Sequence, residues 1–253
     1  MHLFYTPDIA TSRELPEEEA AHALRVLRLG TGDAVLLTDG KGHFFPAEVA
    51  ECTNKRCFVD VQETVTPAPL WCGHLHLAIA PTKNMDRLEW LAEKAVEIGF
   101  DELSLLDCRY SERHVVKTER LDKILVSAMK QSLKASKPVL NEMMPFDRFV
   151  RQPFTGQRFI AHCYSEEEIA AGVENENDRS QSYCATAFRQ PLRELLSPDE
   201  DALVLIGPEG DFSVEEVRLA LSLGFRSVSL GNSRLRTETA ALVAVHLMNL
   251  AHT

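Results

Sequence analysis

The chain lacks most of the signatures that place a protein quickly. No apolar run approaches the roughly 18 residues of a membrane-spanning helix. The opening MHLFYTPDIATSREL has neither the basic stretch nor the apolar run of a signal peptide, so a cytoplasmic location is expected. Six cysteines, at 52, 57, 72, 108, 163 and 184, form no CxxC pair. That excludes the usual zinc-ligand spacing, and free thiols in a reducing compartment with no metal site are expected. Aromatic residues make up 7% of the chain and show no interleaved stacking series. Basic charge is also scarce: 27 Lys+Arg face 38 Asp+Glu, a net charge of -11, which argues against a general nucleic-acid binder. Neither GxGxxG nor GxxxxGK(S/T) occurs, which removes the commonest glycine-rich nucleotide sites.

What is present is uneven. From Arg109 to Lys137 eight Lys/Arg stand against three acids, a basic patch able to carry phosphate contacts in an acidic protein. The alternative reading is a solvated helix face. The first 64 residues read as β-rich, with strands over Ala34–Thr38, Phe44–Ala50 and Arg56–Val61 and a turn at Asp39-Gly40. One helix interrupts them. It begins after Pro16 with three glutamates and is expected to run through Leu29 to Gly30. TVTPAPLWCG, at 64–73, reads as a linker because Pro67 and Pro69 cannot serve a central strand.

Beyond it strands and helices alternate. LHLAIAP, LSLLD, FIAHC, LVLI and SVSL read as strands; 85–99, 117–135, the VEEVRLALSLGF segment and the final TETAALVAVHLMNL read as helices. Ser165 to Glu168 resembles a capping box. Residues 173–182, VENENDRSQS, are polar and unpatterned and read as a loop. The expected fold class is α/β, a mainly parallel sheet covered on both faces, preceded by a small β domain.

In an open parallel sheet ligands bind beyond the C-terminal strand ends. Two unusual loops fall there. Gly207-Pro208-Glu209-Gly210-Asp211-Phe212 directly follows LVLI, and Ser213 with Glu216 forms a capping box for the next helix. Leu230-Gly231-Asn232-Ser233-Arg234-Leu235-Arg236-Thr237-Glu238-Thr239-Ala240 also follows a strand and opens a helix. A tight turn feeding a capped helix is the structural alternative for the first loop.

Both loops together resemble the knotted (SPOUT) methyltransferase superfamily and, within it, the 16S ribosomal RNA uridine N3-methyltransferase family. The resemblance spans the chain. His22–Asp33 is similar to the helix and turn of that family's PUA-like domain, and Lys83 with Met85–Gly99 to its first catalytic-domain helix. Arg109 and Ser111 match an Arg-Ser element, with Tyr110 inserted between them. Gln131-Ser132 matches a further motif, with Lys134 in the following basic position. Arg234 departs from the family's usual hydrophobic residue.

The resemblance implies a PUA-like β-barrel RNA-binding domain over 1–70 and a trefoil-knotted methyltransferase domain over 71–253. It implies a homodimer, S-adenosylmethionine as cofactor, and 16S rRNA within the small ribosomal subunit as partner. The expected cofactor contacts are Leu205, Gly207, Pro208, Glu209, Gly210, Leu230, Gly231, Leu235 and Arg236.

N3 of uridine carries a proton, so transfer needs a base or a stabiliser of the deprotonated ring. Arg236, always charged, is the candidate stabiliser, with a salt bridge to Glu209 or Glu238 as the alternative. Glu238 is the candidate base, although its place at a helix N-terminus lowers its basicity. Arg25, Arg28, Arg109, Arg113 and Lys134 are candidate RNA phosphate contacts. Two other readings stay open: a knotted enzyme acting on transfer RNA or a ribose 2′-hydroxyl, and a non-catalytic RNA-binding or ribosome-assembly factor.

Overall fold

A computed structural model describes residues 2–172 and 189–253; the segment 173–182 and Cys184 lie outside them. The chain divides into two compact units, Met1–Pro69 with Leu125–Lys137, and Leu70–Ile124 with Pro138–Thr253. Among the described residues no helix is long and apolar enough to cross a membrane.

The first unit holds a four-stranded sheet in the order β1 (Leu3–Tyr5), β2 (Ala34–Thr38), β3 (Phe44–Cys52), β4 (Cys57–Val61). β1 runs parallel to β2, and the other pairs are antiparallel. The alternating burial of β3 follows from its period-2 apolar pattern and points Phe45, Ala47 and Val49 at a core with Phe4, Leu37 and Val59. The helix expected from Pro16 to Gly30 is shorter. Helix α1 (Glu17–Ala21) passes into one π-helical turn, His22–Val26, where Leu27 N donates to the His22 carbonyl at 3.1 Å. Arg28 then takes a left-handed conformation, φ 55°, and turns the chain away. Leu125–Lys137 groups with this unit through real bonds. Lys130 Nζ meets Glu19 Oε1 at 2.6 Å, and Thr38 Oγ1 donates to the Ala135 carbonyl at 2.8 Å.

The second unit contains a seven-stranded parallel sheet among the described residues. Its strands are β5 (Leu75–Ile79), β6 (Glu102–Asp107), β7 (Val139–Leu140), β8 (Met144–Pro145), β9 (Gln157–Ala161), β10 (Ala202–Ile206) and β11 (Arg226–Val228). The order is β11-β9-β10-β5-β6-β7, with β8 also paired to β6. Every residue of β5 and β10 is buried, as strands at the centre of a parallel sheet should be; β10 is a continuous apolar run, whereas β5 includes His76. Helix α2 (Met85–Ile98) is capped by the Asn84 side chain, which accepts from Asp86 N, and buries Leu88, Leu91, Ala92, Ala95 and Val96. Helix α3 (Thr118–Gln131) stops short of the expected end at 135: Leu133, expected on its apolar face, has φ 52° and is exposed.

Short helices α4 (Phe146–Phe149), α5 (Glu166–Ala171) and α6 (Leu192–Leu195) precede α7 (Val214–Ser222) and α8 (Thr237–His252). Ser165 forms the expected capping box with Glu168. Helix α8 buries Ala241, Ala244, Val245 and Met248 and packs against α2 and β5; its small side chains permit the close approach.

Candidate functional site

The C-terminal ends of β9, β10 and β11 open onto one cavity of about 670 Å³. Its wall comes from three loops: Ala161–Tyr164, Ile206–Asp211 and Val228–Thr237, with Arg87, Glu168, Arg189 and Ala240 added. Both motif loops read from the sequence therefore face the same space.

The first motif loop is tightly specified. Asp211 N donates to the Pro208 carbonyl at 2.9 Å, closing a turn. A Cβ on Gly207 would lie 2.9 Å from Phe212 N, so only glycine fits without a backbone shift. Asp211 takes a left-handed φ of 69°. Its Oδ2 accepts from Cys163 N at 2.7 Å and its Oδ1 from Phe212 N at 2.8 Å. Part of the residue reaches the surface, but burial of the carboxyl pushes its pKa up against these N–H bonds. Tyr164 Oη donates to the Phe212 carbonyl at 2.7 Å, tying the two loops a second time. Ser213 and Glu216 form the capping box expected of them. Glu209 Oε1 accepts from Lys83 N at 2.9 Å, so this carboxylate shapes the loop.

Arg189 is the residue the sequence did not signal. It is nine-tenths buried and lines the cavity. Its Nη1 donates to His162 Nδ1 at 3.3 Å, while Nε and Nη2 have no hydrogen-bond partner among the described residues. A buried guanidinium with two idle donors beside an open cavity suits an anionic ligand group. His162, bonded through Nε2 to Ser227 Oγ at 2.7 Å, is held neutral: burial first, then the Arg189 charge, lowers its pKa to about 3.

Residues 69–249 match a family model described as an RNA methyltransferase domain, and residues 15–62 match an RNA methyltransferase PUA domain. The chain belongs to the RNA methyltransferase family. Among its relatives is the ribosomal RNA small subunit methyltransferase E of Rickettsia conorii, 25% identical over 239 residues, which cover 94% of this chain and 89% of the relative. A probable rRNA-methyltransferase from Porphyromonas gingivalis superimposes with a TM-score of 0.87 at 43% identity, covering 100% of this chain and 98% of its own. A Legionella pneumophila protein solved with bound cofactor SAM superimposes at 0.78 with 27% identity, covering 94% and 91%.

In this RNA methyltransferase, Gly207, Pro208, Glu209, Gly210, Leu230, Gly231, Leu235 and Arg236 all line the cavity. Leu205 does not. It is fully buried inside β10, and strand alternation leaves Ile206 to reach the cavity instead. Arg236 is exposed at the N-cap of α8 and forms no ion pair with Glu209 or Glu238. Glu238 is buried outside the cavity lining. Its Oε1 lies 3.9 Å from Arg87 Nε, and its Oε2 has no partner among the described residues. A carboxylate turned toward Arg87 is badly placed to take a proton from a ligand, which corrects the expectation that Glu238 is the base.

The candidate phosphate contacts separate similarly. Arg25 and Arg28 are exposed, and Arg109 is exposed but paired with Glu215 at 3.1 Å. Lys134 is half-buried. Arg113 donates to the Lys83 carbonyl at 2.8 Å, and its Nε is buried, so it braces a loop and is not a free phosphate ligand.

Two buried histidines set an acid limit on stability. His162 faces Arg189, Ser227 and Tyr164. His76 in β5 faces Ser104, Glu102 and His74, and burial lowers its pKa to about 4. Between pH 6.5 and 4 the unfolded chain binds protons that the native state refuses. His74 and Asp211, with raised pKa values, take up protons earlier in the native state and oppose this trend, and Glu102, lowered to about 2, contributes only below its ordinary 4.5. Stability measured by urea unfolding should fall across that window by up to about 1.4 kcal/mol per pH unit for each histidine. A flat profile from pH 6.5 to 4 would contradict the assignment.

Proposed function

We propose that the chain transfers the methyl group of S-adenosylmethionine to N3 of one uridine of 16S rRNA in the small ribosomal subunit. The observation that carries this is the convergence of Gly207–Asp211 and Leu230–Arg236 on one cavity at the C-terminal strand ends. The names of the curated relatives and the SAM-holding Legionella neighbour support the substrate and the cofactor. The cavity volume falls within the range of small-molecule sites, and its glycines allow close backbone approach to a ligand.

S-adenosylmethionine, when bound, supplies a methyl group on a sulfonium: the S–CH₃ bond breaks, the N3–CH₃ bond forms, and a neutral thioether leaves. Backbone groups of Gly207, Gly210, Leu230 and Gly231, with the Ile206 and Leu235 side chains, would hold the cofactor. The idle donors of Arg189 suit its carboxylate. Arg236 is exposed on the loop, unpaired with Glu209 or Glu238, and stabilises the negative charge that uracil acquires as N3 loses its proton, or orients an RNA phosphate. Glu238 serves as a positioning residue through Arg87, and the N3 proton passes to solvent.

Residues 1–70 form the PUA-like RNA-binding domain and 71–253 the catalytic domain, acting as a cytoplasmic homodimer. Arg25, Arg28 and Arg109 are the phosphate contacts, with Lys134 as a further one. The strand order supports a knotted reading of the second unit: β11, last in sequence, lies outside β9, and α8 then returns to β5 and α2. With a net charge of -11, recognition by the shape of an assembled subunit fits better than a broad basic face.

The test is to supply labelled S-adenosylmethionine and small subunits lacking their native base methylation, then map the label by nucleoside mass spectrometry. Label at N3 of a single 16S uridine is expected. Label on transfer RNA or on a ribose oxygen would overturn the substrate assignment. Arg236→Ala should slow single-turnover transfer by about 100-fold, the scale of losing one charge-stabilising donor; a near-wild-type rate would remove its role. Arg189→Met should weaken S-adenosylhomocysteine about tenfold while leaving methylthioadenosine, which lacks the carboxylate, unchanged. Equal losses for both ligands would refute the carboxylate contact.

A further inference from the structure

At the opposite, N-terminal edge of the same sheet, three ligand-type side chains meet. His74 and His76 are two residues apart where β5 begins, so their side chains leave the strand on one face. The register of β5 on β6 sets His76 directly beside Glu102. Glu102 Oε2 lies 2.7 Å from His74 Nε2 and 3.7 Å from His76 Nδ1. One ligand atom from each residue falls within 4.8 Å of the others.

The surroundings hold these groups in place. His76 Nε2 is 2.8 Å from Ser104 Oγ, and Asn141 Nδ2 donates to Ser104 Oγ at 2.9 Å and to Glu102 Oε1 at 2.5 Å. A hydroxyl oxygen has two lone pairs, so Ser104 can accept from both Asn141 and His76 Nε2. In that tautomer the His76 Nδ1 lone pair faces Glu102 Oε2, two acceptors across a gap too long for a hydrogen bond. His76 and Glu102 are thus braced through their second polar atoms, as outer groups usually brace the ligands of a metal site. Phe149 packs edge-on to the His76 ring at 5.7 Å and Phe154 lies at 6.3 Å, giving the inner side an apolar wall. His74 and Glu102 side chains keep 39% and 24% of their surface, so water reaches the outer side.

We propose that His74 Nε2, His76 Nδ1 and a Glu102 carboxylate oxygen bind one divalent transition-metal ion of the zinc class, with water completing its shell. Around tetrahedral zinc, neighbouring ligand atoms lie about 3.3 Å apart, so the 3.7 Å gap closes and the 2.7 Å contact opens by about 0.4 and 0.6 Å, and the gap between the two imidazoles, within 4.8 Å, closes by up to about 1.5 Å. At neutral pH Glu102 is ionised and His76 neutral, while the hydrogen bond to Glu102 raises the pKa of His74. The ion fastens β5 to β6 at the sheet edge away from the cavity. It is separate from methyl transfer and does not rest on that reading.

The test uses the chelator-treated full chain, titrated with Co²⁺ and then displaced by Zn²⁺. One ion per chain is expected, with visible d–d absorption and no thiolate charge-transfer band, since nitrogen and oxygen bind it. Zinc should raise the melting temperature of the wild type. His74→Ala and Glu102→Gln should each weaken binding more than about tenfold and abolish that rise, and Ser104→Ala should weaken it about tenfold. His74 is half-exposed, so its variant is expected to melt near the metal-free wild type. No cobalt spectrum, a thiolate band, or undiminished binding by His74→Ala and Glu102→Gln would each overturn the proposal.

Discussion

The cavity depends on one carboxylate. Asp211 receives the backbone N–H of Cys163 from the loop after β9 and that of Phe212 from its own loop. Two loops leaving neighbouring parallel strands have no ladder bonds to hold them together, and their N–H groups would otherwise stand unpaired as they turn inward. A single acidic side chain in a left-handed backbone conformation answers both needs. Its charge also acts on Arg189, as that of Glu168 does.

From that clamp the remaining geometry follows. With Phe212 fixed, its ring enters the core beside Phe146, and its carbonyl takes the Tyr164 hydroxyl. Gly207 must then stay bare of a side chain, because the Phe212 backbone occupies that space. The capping box at Ser213 starts α7 immediately afterwards, so the loop has little slack. Four arginines, Arg87, Arg189, Arg234 and Arg236, line the cavity against three acids, Glu168, Glu209 and Asp211, in a chain whose net charge is -11.

The sequence made local and periodic features legible. Largely apolar runs foretold the buried strands β5 and β10, and short-range Ser/Glu spacing foretold both capping boxes. The two motif loops were legible because glycine, proline and a strand before them have few other uses. What stayed hidden was nonlocal. The Asp211 contact to Cys163 spans 48 residues, and Arg189 follows a polar segment with no pattern to mark it. Strands of two or three residues, such as β1, β7 and β8, are too short for periodicity to register. The π-helical turn at His22–Val26 arises in a segment that helix propensity alone would continue. His74, His76 and Glu102 carry no ligand-spacing signature, because only strand register brings them together.

The Asp211 clamp builds the cavity at the C-terminal strand ends. Calorimetric titration of S-adenosylhomocysteine into the wild type and into Asp211→Ala tests it most directly, with the melting temperature as a check on folding. Loss of both loop bonds should weaken binding by about tenfold or more while α7 and the sheet remain folded. An affinity equal to the wild type would contradict the account and leave the cavity to be held by the remaining loop contacts alone.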